Sequence, residues 1–519
     1  MKCNGGDRLW LAILTVAAVV LWFAALGDVP LRDWDEGTRA LVAREMLQTG
    51  SWWFPRLHGQ PYMLKPPLMD WLVALSYRTL GISEFTSRLP GALLSALGVP
   101  LLYGLGRSVF QRRDRALLSA ATYLTLLPVV RHGRLLMLDG AAISGFLILL
   151  GCMARAQRHE RWAIGIGLGL AGIVFMKGLL AVPLAAIAIA WAIWQQQTAL
   201  ATNRWFWLGI GLGLLPVLGW YGSQLWHYGL DFAQVHFGAQ GFDRLTGTVE
   251  SHSGPPWYYL LELLKYGWPW LLFWPSGLWL AWRERQQTWG SLVLLGTVLY
   301  LGIISAMGTK LPWYIMPIYP FFALAVGARL GDFWQHRRAY PRRLAIAFWV
   351  LALAGLGGTV YFAISGSWRE WLLPLMGAMS SLTFWMAGCL LWLNRRRFVP
   401  VLITGIYAVL GILMLSDVWL WELNEAFDVR PVAAMVRQHM DAGTAIYTSF
   451  AYSRPSLDFY CNCKIIAANA EVLQQQWPTH PLLLDRAALE ALELPEPVVL
   501  GTSAGFSLVV PRLIANAAE

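Results

Sequence analysis

Charge is scarce in this chain. Only 13% of its 519 residues are Asp, Glu, Lys or Arg, against 57% that are hydrophobic. A water-soluble protein has about a quarter of its residues charged, so a soluble fold is excluded. A mean hydropathy of +0.49 and repeated apolar runs of membrane-crossing length point to transmembrane helices instead. Cysteine is scarce too, with five residues at 3, 152, 389, 461 and 463. They show no zinc-site spacing. Cys152 and Cys389 fall in apolar runs as packing residues. Cys461 and Cys463 sit too close for an easy mutual disulfide. The first apolar run, Trp10 to Leu26, lacks a convincing small-x-small cleavage site and is long for a signal core, so it reads as a span.

The net charge is +10, but nucleic acid is not the implied partner. The bases lie in short clusters between apolar runs, which is the signature of membrane topology. Spans are predicted at 9–27, 87–110, 115–130, 135–153, 162–177, 178–194, 205–227, 257–282, 289–307, 312–330, 344–365, 369–393 and 399–421, about 13 in all. With the N-terminus cytoplasmic, the inner loops at 111–115, 155–161, 195–204, 283–287, 336–343 and 394–398 are nearly all basic, as the positive-inside rule requires. The longer polar loops then face the other side, together with the C-terminal tail. From 424 onward "TAIYTSF" and "PVVLGTSAGFSLVV" read as strands, and "PVAAMVRQHM" and "DRAALEAL" as helices. The expected fold is a multi-pass α-helical membrane domain over 1–423, its first extracytoplasmic loop at 28–86. A small extracytoplasmic α/β domain follows over 424–519.

The first loop is the anomaly. "RDWDEGTRALVAREMLQTGSWWFPRLHGQPYMLKPPLMDW" (32–71) brings acids, bases and the tryptophans Trp34, Trp52, Trp53 and Trp71 to the presumed outer face. Residues 35–50 have helical period, with an apolar stripe of Ala40, Leu41, Ala43 and Leu47. That pattern predicts a helix lying in the membrane interface. Asp33, Asp35 and Glu36 follow the first span directly; carboxylates there can bind a metal, orient a polar acceptor or act as a base. Lys65 precedes two prolines that fix the local chain and suits a lipid phosphate.

Five stretches in order carry a resemblance: the loop just quoted, "RLLMLDGAAISGFLILL", "MKGLLAVPL", "DRLTG" followed by "HSGPPWYYL", and "TKLPWYIMPIYPFFALAVGARL". Together they resemble membrane glycosyltransferases of the GT-C class, the group of bacterial protein O-mannosyltransferases and the lipid A aminoarabinose transferase. The resemblance runs from about residue 9 to 330, with the remainder alike in kind. It implies transfer of a sugar from a polyprenyl-phosphate carrier to an envelope lipid, glycan or protein, with inversion, at the outer face of the bacterial cytoplasmic membrane.

Carried over by position, Asp35 matches the catalytic aspartate, with Glu36 beside it. Asp139 matches a second acidic position. Lys65, Arg244 and Tyr314 match the residues on the carrier phosphate, with Lys177 and Lys310 as auxiliary cations. Such donors suit a leaving phosphate that gains charge. Two departures stand out. Leu64 replaces the Glu before the lysine, and Gln240 and Gly241 replace a Glu–His pair. A metal site held there in aminoarabinose transferases looks dismantled, so lipid A aminoarabinose transfer is not assigned outright. No metal ligand is assigned, and a divalent cation is the one cofactor left open. His236 and His252 remain in the same loop and read as ordinary polar loop residues. The rival class is a secondary transporter or flippase of a lipid or sugar. It would place ionisable groups at mid-bilayer, where this chain has few.

Overall fold

The computed structural model describes residues 5–247, 252–335, 339–365, 371–420, 429–450 and 453–512. The boundary drawn at 424 and the loop at 366–370 lie outside them. The chain divides into two compact units, one of residues 1–26, 63–69 and 88–419, the other of 27–62, 70–87 and 420–519.

The first unit is helical. Among the described residues nine helical runs are long and apolar enough to cross a membrane, and Phe398–Met414 is a shorter apolar one. The expected spans at 115–130 and 257–282 are instead broken into short helices. The first becomes Arg113–Leu124 and Leu127–Arg134, parted before Pro128; the second becomes Tyr258–Tyr266 and Trp274–Arg283, parted around Pro269. The run 160–194 is interrupted at Gly178, whose φ of +50 ends the helix Ile164–Lys177. Asn203 donates to the Glu160 carbonyl at 3.0 Å, so the chain beyond Gly178 returns to the level where the run began.

Glycine decides how these helices meet. Gly145 and Gly169 face each other's backbone, while Gly167 faces the backbone of Gly209, and Gly209 that of Ile164. Lipid tails are as apolar as Leu, so close backbone packing on small residues is what joins such helices. Asp139–Ala156 therefore runs antiparallel to Ile164–Lys177, with Cys152 at Gly165, Gly145 at Gly169 and Asp139 at Lys177. Arg204–Tyr228 runs parallel to Ile164–Lys177, with Gly209 at Gly167 and Tyr221 at Gly178. The start of one helix and the ends of two others come to one level, and the polar residues collect there.

Other charges of this unit are committed to structure. Asp7 receives Tyr103, Arg107 and Arg113. Arg115 bridges Glu284 and Asp332, both at 2.8 Å. Arg131 and Arg134, which fall between the spans predicted at 115–130 and 135–153, are buried in a helix and donate to the carbonyls of Trp419 and Leu21.

The second unit contains two sheets. The strands β1 (Arg56–Leu57) and β2 (Gln60–Pro61) form a small hairpin in the first loop. The tail contributes β3 (Ala445–Thr448), β4 (Lys464–Ala467), β5 (Leu482–Asp485), β6 (Pro497–Ser503) and β7 (Phe506–Pro511). These five make a mixed sheet in the order β4-β3-β5-β7-β6, parallel across β3 and antiparallel through β7. Its core joins Val432, Val436, Ile446, Leu457, Leu483 and Leu508 on one side. Leu473, Trp477, Leu482, Leu484 and Val509 fill the other.

The predicted interface helix exists as Asp35–Thr49 but is not an interface helix. Ala40, Val42 and Ala43 are fully buried, and so is Glu36. Gly37 lies against the backbone of Pro455 and Ser456, and Arg44 donates to the Phe459 carbonyl at 2.9 Å. Cys461 and Cys463 are joined as a disulfide, contrary to expectation. The intervening Asn462 takes φ +58, which turns the chain so that the two Cα atoms are 5.3 Å apart, within disulfide range.

Candidate active site

The acids of the first loop do different things. Asp33 is 3% exposed. It receives Arg454 Nε and the hydroxyl and backbone N–H of Ser456. Glu36 is fully buried, and its Oε2 accepts the Arg32 N–H at 3.0 Å. Asp70 lies 3.5 Å from Arg39, both buried. Burial pushes the Asp70 carboxyl up to about 6, with the charge of Arg39 only partly offsetting it. Asp35 differs from all three. It is the first residue of its helix and half-buried, and its carboxylate makes no hydrogen bond or ion pair among the described residues. The preceding Trp34 holds φ +64 and ψ −93, a conformation rare for a residue with a Cβ and of the kind that gathers at functional sites.

The cations of the first unit divide in the same way. Lys310 is buried, and its ammonium donates to the carbonyls of Ile304 and Ser305 at 2.9 and 2.6 Å. It caps the end of the helix Thr288–Ala306, and burial lowers its pKa. Its ammonium is thus bonded to helix-end carbonyls, a structural use that its place in the sequence did not suggest. Lys177 reaches the Asp139 carboxylate at 2.5 Å and lies 5.5 Å from the centre of the Tyr314 ring. The phenol of Tyr314 accepts Arg244 Nη1 at 2.9 Å. Arg244 makes no ion pair among the described residues, and its buried Nε has no hydrogen-bond partner there. The phenol proton of Tyr314 is not used by that bond. Asp139, Lys177, Tyr314 and Arg244 thus form one chain of contacts that ends in unspent donors. Asp139 is within it as the partner of Lys177.

Lys65 is half-buried just before Pro66 and Pro67. The carbonyl of Met63, two residues upstream, accepts His236 Nδ1 at 2.9 Å. His236 Nε2 meets the Tyr221 hydroxyl at 3.0 Å. Sequence reasoning missed Tyr221 and passed over His236. The available signals were a histidine in the largely apolar "FAQVHFGA" and a glycine directly after Lys177. Among the described residues no three His, Cys, Asp or Glu side chains converge as a metal ligand set. The side chains of 240 and 241 lie outside the described residues.

Residues 64–221 match the model of the family described as dolichyl-phosphate-mannose-protein mannosyltransferase. Over 415 residues the chain is 30% identical to undecaprenyl phosphate-alpha-4-amino-4-deoxy-L-arabinose arabinosyl transferase 1 of Pseudomonas fluorescens, with 74% of each chain covered. The chain belongs to this family of polyprenyl-phosphate-sugar glycosyltransferases. A further relative, from Erwinia tasmaniensis, is 31% identical over 313 residues, 56% of this chain and 54% of its own. The crystal structure of ArnT from Cupriavidus metallidurans bound to undecaprenyl phosphate has the same fold. Its TM-score is 0.80 at 19% identity, covering 96% of this chain and 97% of that one. The expected fold class is therefore the observed one, a multi-pass GT-C membrane protein with a small C-terminal sheet domain. The protein is a membrane glycosyltransferase that moves a sugar from a polyprenyl-phosphate carrier to an acceptor.

Proposed function

We propose that the carrier is undecaprenyl phosphate, that the acceptor is an envelope lipid, glycan or protein, and that transfer takes place at the outer face of the bacterial cytoplasmic membrane with inversion. The observation that carries the donor assignment is the Arg244–Tyr314 pair, with a buried guanidinium N–H left to give. Lys65, Arg244 and Tyr314 hold the carrier phosphate, and Lys177, oriented by Asp139, adds charge beside them. The bond between sugar C1 and the phosphate oxygen breaks as the acceptor oxygen bonds to C1. The carrier leaves as a phosphomonoester with an added negative charge, which these donors stabilise more strongly than they do the diester. Asp35 takes the proton of a hydroxyl acceptor, or orients the acceptor if it is already anionic. Glu36 supports the turn that presents Asp35.

The N-terminus is placed inside the cell, and the first loop and the C-terminal domain outside, by the basic clusters of the other loops. The relatives' names specify a 4-amino-4-deoxy-L-arabinose donor. With Leu64 standing for the family's Glu, the carrier is carried over and the sugar is not. The test is transfer by the purified full-length protein from a panel of undecaprenyl-phosphate sugars, with mass spectrometry of envelope lipids, glycans and proteins. Transfer from at least one such donor supports the reading. Binding of none of them, with the protein folded, overturns it.

A further inference from the structure

The histidine that the sequence reading set aside sits where two donor-site segments meet. His236 is 3% exposed and stacks on Phe232, with ring centroids 5.0 Å apart. A backbone carbonyl can only accept, so the 2.9 Å contact to Met63 places the proton on Nδ1. Nε2 then carries the lone pair, and the Tyr221 hydroxyl donates to it at 3.0 Å. Burial lowers the pKa of the ring, and the nearby charge of Lys65 lowers it further, in keeping with that neutral tautomer. Gly178, the residue after Lys177, packs on the same pair. A Cβ on Gly178 would lie 3.2 Å from the Tyr221 hydroxyl, 3.4 Å from His236 Nε2 and 3.6 Å from Pro66.

The cluster therefore touches the chain on both sides of Lys65, through Met63 and Pro66, and the residue next to Lys177. We propose that His236, supported by Tyr221, is a positioning residue that holds the Lys65 and Lys177 segments at the spacing the carrier phosphate needs. The inference rests on the donor-site reading above. His236 touches no phosphate in this account; it acts through the backbone that bears the two lysines. Misplacement of a charged donor by a fraction of its bond length is enough to be felt in binding and turnover.

The experiment uses the full-length protein in detergent and undecaprenyl phosphate as the probe, with a thermal midpoint taken for every variant. Asn places its amide N–H close to where Nδ1 stood, whereas Gln places its amide near Nε2. His236→Asn keeps the bond to Met63 and should bind the probe within about twofold of the parent. His236→Gln loses it and should bind about fivefold to tenfold more weakly, the loss of about one hydrogen bond. Lys65→Ala should weaken binding by at least as much. Parent-like binding by His236→Gln, with Lys65→Ala impaired, overturns the positioning role and leaves the donor site standing. Parent-like binding by Lys65→Ala overturns the donor-site reading itself. Equal impairment of the Asn and Gln variants makes His236 a packing residue and also overturns the proposal. If His236→Gln does not fold, Tyr221→Phe removes only the supporting hydroxyl. A loss of about twofold to fivefold supports the proposal, and none contradicts it.

Discussion

The acids of the first loop and the cations of the helical unit have opposite charge but the same division of labour. In the loop, Asp33, Glu36 and Asp70 are buried and bonded, and the carboxylate of Asp35 alone of the four has no hydrogen bond or ion pair among the described residues. In the helical unit, Lys310, Arg131 and Arg134 hold backbone carbonyls, while the Arg244 guanidinium is joined to the Tyr314 phenol. Charge near a membrane surface is thus mostly architecture. What sets Asp35 and Arg244 apart is that their side chains pair with neither an opposite charge nor a backbone carbonyl or N–H among the described residues.

The variant expected to break that comparison most severely is Asp33→Asn. By position alone Asp33 resembles a dispensable neighbour of Asp35, and on the sequence its substitution would be mild. Buried against Arg454, its loss leaves a charge without its partner, at a cost of about 3–5 kcal/mol. Chemical or thermal denaturation in detergent should show this as a lower midpoint and poor recovery. Next is Arg244→Ala, with a loss of about 2–4 kcal/mol of transition-state stabilisation read in kcat/KM for the donor, at an unchanged thermal midpoint. Lys310→Met separates the two kinds of cation. It should lower stability by about 1–3 kcal/mol by leaving helix-end carbonyls unbonded, while donor KM for the folded fraction stays near that of the parent. The smallest effect is one of pH. His236 is held below its ordinary value of 6.5 by burial and by Lys65. Below pH 6.5 the unfolded chain takes up a proton that the folded ring resists, so the clamp is intact above that pH and weakens as pH falls further. Undecaprenyl phosphate binding should be flat from pH 8 to 6.5 and decline below, and His236→Asn should shift the decline to lower pH.

Much of this was legible in the sequence. Scarce charge and long apolar runs specified a membrane protein, and the ordered motifs specified its family. The β6–β7 hairpin was readable from "PVVLGTSAGFSLVV". Strands β4 and β5 were not, since a run of three apolar residues cannot be told from a piece of buried helix. Pairings between distant residues were equally hidden. Nothing local to Asp33 announces Arg454, and nothing local to Gly37 tells whether the helix Asp35–Thr49 there meets lipid or the backbone of Pro455 and Ser456. The Asp139–Lys177 pair lay nearer to view, because a helix start and the end of the next helix share one level once Gly145 and Gly169 bring the two together.

The central claim is that the uncommitted carboxylate is the chemical one, and Asp35→Asn tests it most directly. Single-turnover sugar transfer should be measured with the donor already bound to the purified variant. The account predicts a folded protein that binds undecaprenyl phosphate like the parent and transfers about 10²-fold more slowly or worse. A folded, donor-bound Asp35→Asn protein transferring at the parental rate would contradict it.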